Sequence, residues 1–289
     1  MIVSHLKSRL GNQMFQYATG RALAERHGTE LVLDTTWLVH YNRGGGNARY
    51  WLDPFELGVR VCPVWEAARV PNPRRAVYAL QRLRPSRRPF VHIIEERGTM
   101  AYEPRVVAAP DNTYLIGYWQ FPAYFADQSD VIRRAFEFPP LPADGAELAE
   151  EIASRPAVSV HVRRGDYTGW DLMGLLDLSW YRRAVDTVAE RTGKDIHLYV
   201  FSDDPTWCRE HFRPPYPATI VDRGLTDERA WEDMCLLSLC THHVISNSTF
   251  SWWGAWLSGA ADKVVVGPST WMLGQHREGS PMLPSWTRL

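Results

Sequence analysis

An α/β fold made of two Rossmann-like halves is what the sequence predicts, and three observations carry that expectation. Short, continuously apolar runs alternate with amphipathic stretches through the C-terminal half, the pattern of parallel strands covered by helices on both faces. The N-terminus reads strand, helix, strand up to Asp34. Between these regions "FPPLPADGAE" (138–147) is proline-rich and polar, the best linker in the chain. The expected domains are therefore 1–145 and 146–289, facing each other, each of ordinary domain length.

The elements follow in order. "MIVSHL" is a short buried strand. In "SRLGNQMFQYATGRALAERHG", Met14, Ala18 and Ala22 fall on one stripe and Phe15, Thr19 and Leu23 on the next. That spacing predicts a helix, with Gly28 as its stop and Gly11-Asn12 in the turn before it. "ELVLD" closes the βαβ unit, and "YLIGYWQ" and "DQSDVIRRAFEF" start a later strand and helix. Past the linker, strands "AVSVHV", "IHLYVFSDD", "ATIVD", "VISNS" and "KVVVGP" alternate with helical stretches. Among these, "LSWYRRAVDTVAERTG" has Ser179 as candidate N-cap, and "TDERAWEDMCLLSLCTHH" has Thr226 or Asp227.

Composition removes several function classes. A net charge of −1 offers no field to recruit nucleic acid. Of 32 basic residues only Lys7, Lys194 and Lys263 are lysines, so anion contacts fall mostly to forked guanidiniums. Cys62, Cys208, Cys235 and Cys240 form no CxxC pair and no zinc spacing, and read as reduced thiols. No secretory h-region and no run of 18 apolar residues occurs, so a soluble cytoplasmic protein is expected.

The residues with chemistry gather at strand ends, where such sheets bind ligands. "VSVHVRRGDY" (158–167) delivers His161, Arg163, Arg164 and Asp166 together. Paired guanidiniums there suit a diphosphate, with Asp166 orienting one of them; the bland alternative is a solvated turn. Arg163 shares a sheet face with His161, while Arg164 turns elsewhere. In "ISNSTFSWWGAWL" (245–257) a strand meets a helix start whose N–H groups attract an anion, or which is simply capped by Ser246, Asn247 or Ser248. Trp252 and Trp253 either stack on a sugar or, at helical spacing with Trp256, fill the core. "FSDD" places Asp203 and Asp204 at a strand end, for a metal, a ribose, guanine N–H groups or a helix cap. No D-x-D motif exists, so arginines rather than a metal would neutralise a leaving diphosphate. Asp233 is either a guanine-reading carboxylate or an exposed helix charge.

The stretches "LGNQMFQYATGRALA", "HVRRGDY", "FSDD" and "HHVISNSTFSWWGAWL" resemble the signature blocks of glycosyltransferase family 11, the α-1,2-fucosyltransferases. "IGYWQ" and "KVVVGPSTW" resemble its lesser blocks, so the likeness runs from about residue 8 to residue 271. The resemblance implies a GT-B-like α/β fold, two Rossmann-like domains facing a cleft, with GDP bound by the C-terminal one. It also implies GDP-β-L-fucose as donor, inversion, and no metal or other cofactor. Carried over by position, Arg163 would grip the β-phosphate and is the one catalytic residue named. His161 would lie beside the nucleotide, Asp233 would select guanine, and Ser248, Thr249 and Phe250 would contact phosphate. Arg164, Asp166, Asp203 and Asn247 join the donor set, and Asn12 with Gln13 would face the cleft from the N-terminal domain.

Two departures bear on this. "KSRLGNQ" replaces a double-glycine form, and "FPAYF" stands after "GYWQ" where relatives carry a charged stretch. The second leaves the choice of acceptor open. The implied acceptor is a galactose-terminated oligosaccharide, free or lipid-linked, in glycan or O-antigen synthesis. Rival readings are α-1,6- or protein O-fucosyl transfer, and a non-catalytic nucleotide-sugar-binding protein. The arginine-rich stretch 69–88 reads as a solvated connector or as a peripheral contact with an anionic membrane.

Overall fold

A computed structural model of the protein describes residues 1–44, 48–63, 92–97, 101–165, 174–193, 195–224, 227–273 and 279–289. The stretch 69–88 and Asp166 lie outside the described residues. The chain divides into two compact units, Met1–Glu137 and Phe138–Leu289. The boundary expected after residue 145 falls instead inside a helix, Ala143–Ala153. Pro142 ends the extended linker and caps that helix, so it belongs wholly to the second unit.

In the first unit β1 (Ile2–His5) leads into α1 (Leu10–His27), then β2 (Leu31–Asp34) and α2 (Thr36–Arg43). Strands β3 (Arg60–Cys62), β4 (His92–Glu95) and β5 (Thr113–Ile116) follow, with α3 (Pro104–Val107) between the last two and α4 (Ser129–Ala135) after them. The strands are parallel, in the order β3-β2-β1-β5-β4. The apolar first segment is buried throughout, and α1 packs closely onto one face of it. A Cβ at Gly20 would stand 2.9 Å from Ser4 and from Leu31, so only glycine permits this approach. Helix α1 stops at Gly28, whose φ of 58° is left-handed and whose N–H returns to the last turn.

The second unit opens with α5, the helix Ala143–Ala153 noted above, and continues through β6 (Ala157–Val162), α6 (Leu178–Thr192) and β7 (His197–Ser202). Then come α7 (Pro205–His211), β8 (Ala218–Val221), α8 (Ala230–Leu239) and β9 (His242–Val244). It ends with α9 (Thr249–Leu257), β10 (Val265–Gly267) and β11 (Thr287–Arg288). Its sheet is also parallel, in the order β8-β7-β6-β9-β10-β11. Numbered within the unit this is 3-2-1-4-5-6, the doubly wound order that places a ligand crevice between strands 1 and 4. Here those strands are β6 and β9.

Some local expectations need correcting. Asp177, not Ser179, caps α6, accepting the Trp180 N–H at 2.7 Å. The helix expected to run through residue 243 stops at Leu239, because the Thr241 N–H bonds to Ala157 O and draws the chain into the sheet. The strand expected at "VISNS" therefore begins two residues early and ends at Val244. Trp252 and Trp253 are fully buried, so the core reading of that pair holds.

Candidate active site

Strand register assembles the site. Val160 pairs with Val244 across the switch point, so His161 on β6 stands next to the residues that follow β9. Its Nδ1 lies 2.9 Å from the Ser246 hydroxyl, and its ring packs 5.4 Å from that of Phe250 on α9. His161 is buried, and burial reinforced by Arg163 lowers its pKa to about 3, so it is neutral. It shapes the floor of the site and adds no charge to it.

On the other flank, His161 pairs with Phe201 and Val162 with Ser202, which brings Arg163 opposite Asp203. The Nη1 of Arg163 lies 3.1 Å from Asp203 Oδ2, while Asp203 Oδ1 accepts the Arg164 N–H at 2.9 Å. Asp203 is thus committed to holding the two arginines, rather than standing clear for a ligand. Arg164 leans away: its guanidinium lies 3.6 Å from the Trp207 ring centre, with Asp204 Oδ2 3.6 Å from Nε. Asp204 in turn caps α7 through the Trp207 N–H at 3.0 Å. Of the arginine pair, Arg163 is the one whose side chain pairs with Asp203 beside the switch point.

The third side is the start of α9. Ser248 is its N-cap and accepts the Phe250 N–H at 3.4 Å. With Thr249 it presents the positive end of a nine-residue helix beside Arg163's strand. Asn247, expected to contact a ligand, is instead buried, and its Nδ2 bridges Gly174 O (3.2 Å) and Trp271 O (3.3 Å). Its amide pins two loops.

Asp233, in the first turn of α8, belongs to a separate ionic cluster. Arg223, just beyond β8, lies with Nη1 3.8 Å from Asp233 Oδ1 and with Nη2 bonded to Glu232 at 2.9 Å and Asp144 at 2.6 Å. Burial, the largest influence, raises the Asp233 carboxyl to about 6 against the pull of Arg223. Sequence reasoning missed Arg223, although it stands at a strand end like the residues it did select. The cap reading of Ser246 does not foretell its bond to His161, and Trp207 carries no sequence signal, since its contact with Arg164 is purely tertiary.

In the first unit, Asn12 and Gln120 meet across that sheet's own switch point, between β1 and β5. Asn12 donates to the Ser8 hydroxyl at 2.9 Å and accepts from Gln120 Nε2 at 2.6 Å. Ser8 and Trp119 both hold left-handed backbones, φ 68° and 54°, a strain typical of functional turns. Glu96 accepts the N–H groups of Tyr118 (2.7 Å) and Trp119 (3.2 Å), and Lys7 lies 3.9 Å from the Tyr118 ring centre. Gln13, expected beside Asn12 in the cleft, is fully buried. Its amide bonds Ser8 O (3.0 Å), Arg49 O (2.9 Å) and the Trp51 N–H (2.9 Å), so it fastens the loop at 49–51 instead.

Among the described residues, no group of three His, Cys, Asp or Glu side chains is placed to hold a metal ion. Nor, among them, is any helix long and apolar enough to cross a membrane.

Comparison with known proteins is consistent with this geometry. The chain is 28% identical to an alpha-1,2-colitosyltransferase of Escherichia coli, over 100% of this chain and 99% of that one. It is 27% identical to the O-antigen biosynthesis glycosyltransferase WbnK of Escherichia coli, over 99% of each. Against the galactoside alpha-(1,2)-fucosyltransferase 1 of Mus musculus it is 27% identical, covering 96% of this chain and 70% of that one. The model of glycosyl transferase family 11 matches residues 101–289, which contain Arg163 and the whole second sheet, and the chain belongs to that family.

Proposed function

We propose that this chain transfers L-fucose from GDP-β-L-fucose to O2 of a galactose residue, inverting the anomeric centre to form an α-1,2-fucoside. The observation that carries this reading is the Arg163 guanidinium, held by Asp203 at the switch point of a doubly wound sheet, within the region that matches the family. The α-1,2 linkage is supported by two relatives named for it, matched over 99% and 70% of their lengths, and a role in surface polysaccharide by the O-antigen relative.

In this reading the second unit binds the donor. Ser248 and Thr249 at the α9 terminus and Arg163 meet the diphosphate, and Asp233 accepts the N–H groups of guanine. The first unit, with Asn12 at its own switch point, takes the galactose-terminated acceptor, free or lipid-linked, in a GT-B arrangement. The acceptor hydroxyl attacks C1 of the sugar as the bond to the β-phosphate breaks, through a transition state of oxocarbenium character. Negative charge grows on the departing GDP, and Arg163 neutralises it. His161 remains neutral beneath, so the counter-charge comes from the arginine and the helix terminus, without a metal. The reaction belongs in the cytoplasm.

A second reading is favoured by the colitosyltransferase match: the donor would carry colitose, which lacks the 3-hydroxyl of fucose. Both are tested by GDP release with a panel of β-galactosides, supplying GDP-fucose or GDP-colitose with EDTA throughout. Galactoside-dependent release from GDP-fucose, with α-fucose on O2 of the product, is the expected result. Turnover with the 3-deoxy donor alone would move the assignment to the second reading. Tight GDP binding with no release from either donor would leave a binding protein.

A further inference from the structure

The ionic cluster at the start of α8 contains more charge than nucleotide recognition by one carboxylate needs. Glu232 is buried and fully engaged: Arg229 grips it through Nε and through Nη2 at 2.9 Å, and Arg223 Nη2 adds a third bond at 2.9 Å. Arg223 is itself only 8% exposed and crosses from the end of β8 to Asp144 on α5. Room for its guanidinium is provided by Gly145, where a Cβ would stand 3.0 Å from Nη2. Asp233 differs from its neighbour. Its Oδ1 and the Arg223 Nη1 face each other at 3.8 Å, and among the described residues neither atom has a hydrogen-bond partner. The pair is close enough to feel the charge and too far apart to be satisfied by it.

We propose that Arg223 is a positioning residue for base recognition, tying α5, β8 and the first turn of α8 together so that Asp233 is left with its carboxylate available to a nucleobase. The inference rests on the guanine-reading role of Asp233 given above. Glu232 saturates one guanidinium edge, and the other edge attracts Asp233 without capturing it. The Asp233 side chain is 31% exposed although Oδ1 itself is buried against Arg223, and at that exposed part a guanine supplies N–H donors to the carboxylate.

Electrostatics supports the geometry. Among the described residues, the charged groups acting on Asp233 are Arg223 and Asp222 after β8, Glu232 on α8 and Arg229 just before it; Asp144 on α5 pairs with Arg223, and α9 contributes none. Burial already raises the carboxyl to about 6, and Arg223 is the largest opposing influence. Below that pH the protonated group cannot accept two N–H bonds, so GDP affinity must fall as pH drops through it.

The test is the pH dependence of GDP and ADP binding by titration calorimetry, for wild type, Arg223→Gln, Arg223→Lys and Asp233→Asn. Removing the cation in Arg223→Gln is expected to move the midpoint for GDP up by about one unit or more, with ADP binding unaffected. Arg223→Lys keeps the charge but cannot span both carboxylates. It is expected to hold the midpoint while losing preference for GDP over ADP, and it decides the matter if Arg223→Gln fails to fold. Wild-type preference and midpoint in both arginine variants would overturn the positioning role. Undiminished GDP preference in Asp233→Asn would instead overturn the guanine reading beneath it, and the inference with it.

Discussion

Gly165 has no room for a side chain, since a Cβ there would run into Oδ2 of Asp203, the oxygen that pairs with Arg163. Alanine at 165 must therefore push Asp203 off the arginine. Loss of one transition-state donor typically costs about 10²–10³ in kcat, so Arg163→Ala should reach that range and Gly165→Ala approach it. Asp203→Asn should fall between, because it keeps the shape and the Arg164 contact but loses the charge. Steady-state kcat beside melting temperature checks this; a Gly165→Ala enzyme with wild-type kcat would show that the Asp203 clamp is dispensable. Residues of this kind were partly legible. His161, Arg163 and Asp203 stood out because an apolar strand ended in ionisable groups. The loop-bridging bonds of Gln13 and Asn247 were not legible for a physical reason: an amide that meets a ligand and one that bridges two loops have the same local sequence. Only burial and bonding partners separate them.

Elements whose boundaries are set by local chemistry were legible, and those set by distant partners were not. Helix α1 ends at Gly28 because glycine tolerates the left-handed turn there, a local fact visible in the sequence. The end of α8 at Leu239 is fixed by the Thr241 bond to Ala157, across 84 positions of chain, and no helical pattern could announce it. The cap of α6 makes a testable case. Asp177 Oδ1 accepts both the Trp180 N–H at 2.7 Å and the Ser179 hydroxyl at 2.7 Å, so serine only steadies the true cap. Asp177→Ala should cost about 1 kcal/mol of stability, and Ser179→Ala clearly less. Urea unfolding of the two variants gives the order, and a larger loss from Ser179→Ala would reverse the assignment.

At the scale of the whole molecule, the two units differ in how they answer acid. The second unit buries His161 and His243, each lowered to about 3, the first by burial and Arg163, the second by burial and then Lys263. In the unfolded chain both take a proton near the ordinary histidine value of about 6.5, and in the folded unit they refuse it. A lowered histidine therefore stabilises fully above 6.5, and that contribution is lost as pH falls from there toward 3. Each such group makes stability fall by about 1.4 kcal/mol per pH unit within that window. The first unit contains one comparable histidine, His5, lowered chiefly by burial. The second unit should thus weaken faster between pH 7 and 5, seen as earlier loss of amide protection in β6, β7 and β9 than in β1 and β2. His243 is hydrogen-bonded to Ser159 at 2.8 Å, so both must change together to remove one titration without stranding a hydroxyl. The double substitution Ser159→Ala/His243→Leu is expected to take about 1.4 kcal/mol per pH unit off the slope of the second unit alone. An unchanged slope in that variant would mean that the acid sensitivity comes from elsewhere in the sheet.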